Sequence, residues 1–321
     1  MSRIHVTQLG ERENIDQIFL AQEKQLRSNR NGNLYLQVRL SDKSGSLTAM
    51  MWNASDRIYG SFEDGSYVRV QGTTQYYNSN LQMIISRIER AEPRDVDERE
   101  FVTVSNEQVD ALASRLSELL RSMENEHLRN LVECFLLDEQ FMAKFMSAPA
   151  GVKNHHAYRG GLLEHVVSLM EVVNVVSPRY EELDRDMMIA GAFLHDMGKI
   201  DELTYERGLG YSDEGQLIGH IVMAVSTLEK KIAEAEKLSG EPFPAELQLR
   251  LKHMIVSHHG EYEFGSPKLP MTYEAIALHY LDNLDAKLHA FAQLMKEDAN
   301  AASSWTPYQA GLGRKLFKGE I

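Results

Sequence analysis

Residues 189–199 read Ile189-Ala190-Gly191-Ala192-Phe193-Leu194-His195-Asp196-Met197-Gly198-Lys199. An apolar helical run leads without a break into an imidazole, a carboxylate and, three residues on, an ammonium. Burying such groups together at the end of an apolar helix is costly unless they are paired or hold a metal ion. The stretch therefore predicts a helical core domain with a polar centre where this helix ends.

The same half of the chain supplies more groups of that kind. His165 lies within the apolar stretch that follows Gly160-Gly161. His220 opens a helix after Gly219, and His258-His259-Gly260 close the helix Leu249 to Ser257. Asp282 sits in Leu281-Asp282-Asn283-Leu284-Asp285. Imidazole and carboxylate are the ligands of borderline divalent metals. The five His and two Asp of this ladder suffice for two ions if one Asp is shared. Two ions can activate a water at neutral pH and clamp both ends of a phosphoryl displacement. The expected chemistry is phosphoester hydrolysis.

Helical spacing also precedes the ladder. Ser105 and Gln108 form a capping box before the apolar positions Val109, Leu112, Ala113 and Leu116. A further helix is expected from about Glu126 to Met146. Apart from a Gly-rich insert near 205–215 and a loop near 260–270, the chain beyond 150 reads as helix.

The N-terminal part has a different period. The runs 34–40, 46–52, 66–72 and 81–85 alternate or carry β-formers, with turns at Asn31-Gly32-Asn33 and Asp42-Lys43-Ser44-Gly45. With a first strand from residue 16 and a short helix over Asn53–Tyr59, this is the layout of a five-stranded OB-fold barrel, which often binds oligonucleotides. Tyr35 and Arg39 share one strand face. Trp52, Arg69 and Tyr76 join them as candidates for stacking on bases and holding phosphates, and Phe19, Lys24, Arg27, Arg57 and Tyr77 extend the set. The expected fold is thus multidomain α+β. An OB barrel over 1–95 precedes a linking helix pair over 96–150 and an all-α domain with a C-terminal tail over 151–321.

Charge follows this division. The net charge is −13, yet residues 1–95 hold 12 Lys+Arg against 11 Asp+Glu, so the acidic excess lies in the helical part. Such a balance disfavours tight nonspecific duplex binding and leaves room for a single strand at a local site. Cys134 is the only cysteine, which excludes an intrachain disulfide and suits a reducing compartment. The N-terminus lacks the apolar core of a signal peptide, and no apolar run is long enough to span a bilayer. A cytoplasmic protein with no membrane partner is expected.

The order H…HD…H…HH…D is filled at every position. It resembles the HD-domain metallophosphohydrolase superfamily. The pairing of an OB-type domain with Asn154-His155-His156-Ala157-Tyr158-Arg159-Gly160-Gly161, FLHDMGK, SHHG and LHYLDNLDAK is similar to the YhaM-type 3′–5′ exoribonuclease family. The C-terminal Trp305-Thr306-Pro307-Tyr308 and Arg314-Lys315-Leu316-Phe317 resemble that family's end segment.

The resemblance implies two divalent metals, Mn first with Fe, Co or Ni as alternatives. One would be held by His165, His195, Asp196 and Asp282, the other by Asp196, His220, His258 and His259, with Asp196 bridging. It implies removal of 5′-mononucleotides from the 3′ end of single-stranded RNA, with single-stranded DNA as an alternative substrate. Lys199 is expected at a nonbridging oxygen of the scissile phosphate, and Arg159 and His156 at that phosphate or the terminal ribose. The rival expectation is an HD-type phosphohydrolase of a small-molecule nucleotide, which would not need the barrel.

Overall fold

In the computed structural model the described residues are 3–29, 31–77, 80–97, 100–101, 105–151, 158–205, 210–296, 298, 303–309 and 311–319. They form two compact units. One gathers the described residues up to 103 with those from 290 onward, and the other those between 104 and 289.

The first unit is built on a closed barrel. Its strands are β1 (Asn14–Ser28), β2 (Leu34–Asp42), β3 (Gly45–Trp52), β4 (Tyr67–Tyr77) and β5 (Asn80–Arg90), in the spatial order β1-β2-β3-β5-β4. The first half of β1 pairs with β4 and its second half with β2, so one long strand serves both neighbours. The register shift between Gln22 and Gln25 marks the bulge where it bends from one partner to the other. Parallel pairing of Thr48–Met50 with Gln82–Ile84 completes the closure. Period-two alternation sends Leu36, Val38, Leu40, Val68, Val70 and Met83 into a fully buried core.

The short helix α1 (Asp56–Tyr59) follows β3, capped by Ser55. Lys24 donates to the Tyr59 and Phe62 carbonyls at this helix end, and its ammonium lies 4.4 Å from the Tyr59 ring centroid. Lys24 is therefore an internal brace. Phe19, expected on the surface, is fully buried in the barrel core.

In the tail, Trp305 and Phe317 face each other across a β-bridge with ring centroids 5.0 Å apart. None of the tail's described residues beyond Lys296 is helical. Pro307, Gly311 and Gly313 interrupt any helical run there.

The second unit is helical: α2 (Asn106–Arg121), α3 (Glu126–Leu136), α4 (Glu139–Phe145), α5 (Gly161–Val176), α6 (Arg185–Leu194), α7 (Lys199–Glu202), α8 (Asp213–Ile218), α9 (His220–Ser239), α10 (Ala245–Ser257) and α11 (Tyr273–Lys296). The Ser105–Gln108 capping box opens α2 as expected. The single helix expected over 126–146 is instead two. Asp138 accepts from the Phe141 amide at 3.0 Å and caps a new helix, and the Lys231 ammonium holds its carboxylate at 2.9 Å. A two-stranded ribbon, Leu203–Thr204 against Gly210–Tyr211, lies in the Gly-rich insert.

Helix α6 is buried along its whole length from Asp186 to Leu194. Phe193 sits among Phe135, Phe141 and Phe145, with ring centroids 5.4, 6.2 and 5.3 Å away. This packing fixes the end of α6, where His195 and Asp196 begin. No helix among the described residues is long and apolar enough to cross a membrane.

Phe193→Ala would leave a cavity beneath the polar centre. It should destabilise the helical unit by about 3–5 kcal/mol in urea unfolding followed by circular dichroism. A loss below about 1 kcal/mol would mean that this cluster does not anchor α6.

Candidate functional site

Three helices and the turns that follow two others bring the ladder to one place. His165 comes from α5, His195 and Asp196 follow α6, His220 opens α9, His258 and His259 follow α10, and Asp282 lies in α11. The ligand atoms fall into two groups, each within 4.8 Å: His165, His195 and Asp282 in one, His220, His258 and His259 in the other. In the first, His165 Nε2 is 3.2 Å from Asp282 Oδ1 and 3.4 Å from His195 Nε2.

Asp196 stands between the groups. Its Oδ2 is 3.4 Å from His195 Nε2. Its Oδ1 is 3.6 Å from His220 Nε2 and 3.5 Å from His258 Nε2. The two oxygens of one carboxylate thus face different groups.

All five imidazoles are turned the same way, Nε2 inward. His165 Nδ1 donates to Asp285 at 2.8 Å, His195 Nδ1 to the Ala192 carbonyl at 2.9 Å, and His220 Nδ1 to Glu202 at 3.0 Å. His258 Nδ1 donates to the Ile255 carbonyl at 2.7 Å and His259 Nδ1 to the Phe264 carbonyl at 2.9 Å. Each partner is an acceptor, so the proton of the neutral ring belongs on Nδ1 and a lone pair is left on Nε2. This is the support found behind metal-binding histidines.

The donor set fits a cation. Asp196 Oδ1, His220 Nε2 and His258 Nε2 are buried atoms with no hydrogen-bond partner among the described residues. Three orphaned acceptors converging on one point would be expensive in a site that held only protein. Close backbone approach keeps the groups near one another. A Cβ on Gly198 would lie 2.1 Å from the His220 carbonyl oxygen. One on Gly260, which has φ +77°, would lie 2.1 Å from the His279 ring. His279 in turn donates to the His258 carbonyl at 2.9 Å.

The two groups differ electrostatically. Burial alone would lower the His165 pKa, but hydrogen bonds to Asp282 and Asp285 raise it to about 10. Burial opposes ionisation of Asp282 and Asp196 as well. The facing His165 holds the first well below the usual carboxylate range, and Lys199 with His195 does the same for the second. In the other group, burial and the neighbouring His258 and His220 push His259 down to about 4, and burial lowers His258.

Lys199 Nζ is 2.6 Å from Asp196 Oδ2. Arg159 is exposed on the turn before α5. His156 lies outside the described residues. Two carboxylates were missed by sequence reasoning: Asp285, which also accepts from Ser168 at 2.9 Å, and Glu202, which accepts from both the amide and the ring of His220. Asp285 had a readable signal, since it sits one helical turn beyond Asp282.

On the barrel, Tyr35 of β2 lies opposite Trp52 of β3, with ring centroids 5.3 Å apart and Trp52 48% exposed. Arg39 shares that outward face. Its Nε donates to Ser46 at 2.8 Å, beside a cavity of about 230 Å³ lined by Glu23, Gln37, Arg39 and Thr48. These three residues therefore share one face of β2 and β3, with Arg39 four residues along the strand from the Tyr35–Trp52 pair. Arg69 does not join them. It lies on β4 between β1 and β5, held by Asp16 at 2.7 Å. Tyr76 and Tyr77 at the end of β4 are both exposed, at 39% and 63%.

The family comparisons agree with this geometry. Residues 22–91 match the model of an OB-fold nucleic acid binding domain and residues 162–287 that of the HD domain. Over 277 residues the chain is 35% identical to the 3′–5′ exoribonuclease YhaM of Bacillus velezensis, covering 86% of each. The chain belongs to the YhaM family of 3′–5′ exoribonucleases. The YhaM of Bacillus subtilis is 34% identical over 287 residues, again covering 86% of each chain. That of a Geobacillus species is 35% identical over 268 residues, covering 83% of this chain and 80% of its own. The family's HD chemistry is metal-dependent hydrolysis, and the two His/Asp groups are this chain's candidate metal ligands.

Loading metal should release protons unequally. At pH 7.5 His165 is protonated and must lose its proton to bind an ion, while His258 and His259 are already neutral. Affinity at the His165 group should therefore rise with pH towards about 10. Calorimetric titration at pH 7.5 in buffers of different ionisation heat should show protons released on loading. Zero release would contradict a protonated His165.

Proposed function

We propose that this chain is a metal-dependent 3′–5′ exoribonuclease that removes 5′-mononucleotides from single-stranded RNA. The observation that carries the reading is the Asp196 carboxylate, whose two oxygens face two separate groups of ligand atoms. One divalent ion would be held by His165, His195, Asp282 and Asp196, the other by His220, His258, His259 and Asp196, with manganese as the ion the family resemblance favours. Two such ions supply an activated water and offset the charge that develops on the phosphoryl oxygens.

The protein's own groups do the rest. The Nδ1 hydrogen bonds hold all five rings ready, so no reorganisation is needed when substrate arrives. Lys199 keeps Asp196 ionised and fixed. Its ammonium has three donors, and those not used on Asp196 can bind a nonbridging phosphoryl oxygen. Arg159 contacts the same phosphate from the turn before α5. Hydrolysis breaks the bond between phosphorus and the 3′ oxygen of the preceding nucleotide. That oxygen takes up a proton, and the released nucleotide keeps the phosphate at its 5′ position.

The outward face of the barrel holds upstream nucleotides. Bases stack on Tyr35 and Trp52, and Arg39 meets the backbone. Contacts of this kind depend little on sequence. The single cysteine suits a reducing cytoplasm.

The test uses a 5′-labelled RNA of about 20 nucleotides, its DNA equivalent and free nucleotides with Mn, Fe, Co or Ni added to metal-free protein. Wild type should shorten the RNA from its 3′ end. Asp196→Ala should lose hydrolysis by at least about a thousandfold while still retarding RNA on a gel. Near-normal turnover by the variant would remove Asp196 from the centre. Turnover of free nucleotides with the RNA left intact would favour a small-molecule phosphohydrolase.

A further inference from the structure

Among the described residues of the helical unit six aromatic side chains are exposed, Tyr180, Tyr211, Tyr262, Phe264, Tyr273 and Tyr280, and two of them, Tyr262 and Phe264, follow directly on metal ligands. Tyr262 and Phe264 are 65% and 62% exposed, and Tyr280 is 63% exposed. Their neighbours make this notable. The 3-10 turn Tyr262–Phe264 follows directly on His258-His259-Gly260, and the Phe264 carbonyl is the acceptor that orients His259. Tyr280 has its ring centroid 5.0 Å from that of His279, the residue packed under Gly260, but two residues before Asp282 on α11 it lies on the other side of that helix from the ligand.

The turn is also fixed. The Phe264 and Ser266 amides both donate to the Glu261 carbonyl, at 3.1 and 3.2 Å, and the Gly265 amide donates to the Tyr262 carbonyl at 3.0 Å. Ser266 is buried and donates to the Lys268 carbonyl at 2.7 Å. Two apolar rings are thus held in water on a rigid backbone, one hydrogen bond away from a metal ligand. Exposed apolar surface next to a site, when it forms a patch, is where a ligand is expected to lie. The intervening Glu261 and Glu263 are exposed acids that would repel phosphate. The recognising chemistry left to the turn is stacking on an uncharged base face.

We propose that the Tyr262–Phe264 turn is a stacking subsite for the bases at the 3′ end of a single-stranded RNA, setting the terminal phosphodiester against the ligands beside it. This rests on the nuclease reading of the same centre. It predicts that the enzyme senses whether the last nucleotides carry bases, whatever those bases are.

The experiment compares two labelled 12-mer RNAs, one intact and one with abasic 3′-terminal nucleotides, on manganese-loaded full-length wild type, Tyr262→Ala, Phe264→Ala and Phe264→Trp. Base stacking is worth about 1–3 kcal/mol, so wild type should cut the abasic RNA with kcat/KM lower by about tenfold or more. Phe264→Ala and Tyr262→Ala should lose about that factor on the intact RNA, mainly through KM, and should no longer distinguish the two substrates. Phe264→Trp should keep the discrimination, and metal content by mass spectrometry should match wild type in all three.

Alanine variants that still discriminate, or that lose equal activity on both RNAs, would overturn the proposal. So would a wild-type dimer in light scattering that the alanine variants dissociate, since the aromatic face would then belong to a second copy. Wild type that cuts neither RNA would overturn the nuclease reading itself, and this proposal with it.

Discussion

The polar centre depends on one buried negative charge. Asp196 is almost wholly enclosed, at the end of an apolar helix. A carboxylate so placed stays ionised only if cations surround it. Lys199 supplies one at 2.6 Å on Oδ2, but Oδ1 has no donor among the described residues. The histidines that face Oδ1 present lone pairs, so they add to the need for positive charge there. The surrounding architecture follows from this constraint. The rings must be held from behind, the backbones must approach closely at Gly198 and Gly260, and the helix that delivers Asp196 must be anchored by the Phe135, Phe141, Phe145 and Phe193 cluster.

The asymmetry between the two groups has a simple cause. His165 lies between two carboxylates, Asp282 and Asp285, and keeps a proton when no metal is bound. His259 lies among other imidazoles and does not. The first group can neutralise its own charge internally, whereas the second keeps lone pairs exposed to one another. The barrel works by different physics. Its outward face offers an exposed indole, a neighbouring phenol and an arginine, which suit stacking and phosphate contacts. The net charge of −13 is no obstacle, since the excess acid lies outside residues 1–95 and part of it is the ligand set itself.

The metal ladder was legible because its chemistry conflicts with its surroundings. His195 and Asp196 after six apolar or small residues had no ordinary explanation, and the spacing of the other ligands on helices agreed with it. The barrel was legible from alternation and turns, including the helix after the third strand. What escaped is set by tertiary contacts. Phe19 and Lys24 have surface-like positions in the sequence but serve as core and brace. Arg69 has the right chemistry for phosphate but sits on another part of the barrel, paired with Asp16. Glu202 was invisible, because nothing in the sequence brings it under His220 across 18 residues.

The most direct test of the shared-carboxylate centre is anomalous scattering from crystals grown with manganese. Two peaks per chain, about 3.5–4 Å apart, should flank Asp196, with one oxygen of its carboxylate on each ion. A single peak, or two peaks with Asp196 bound to only one of them, would contradict the account.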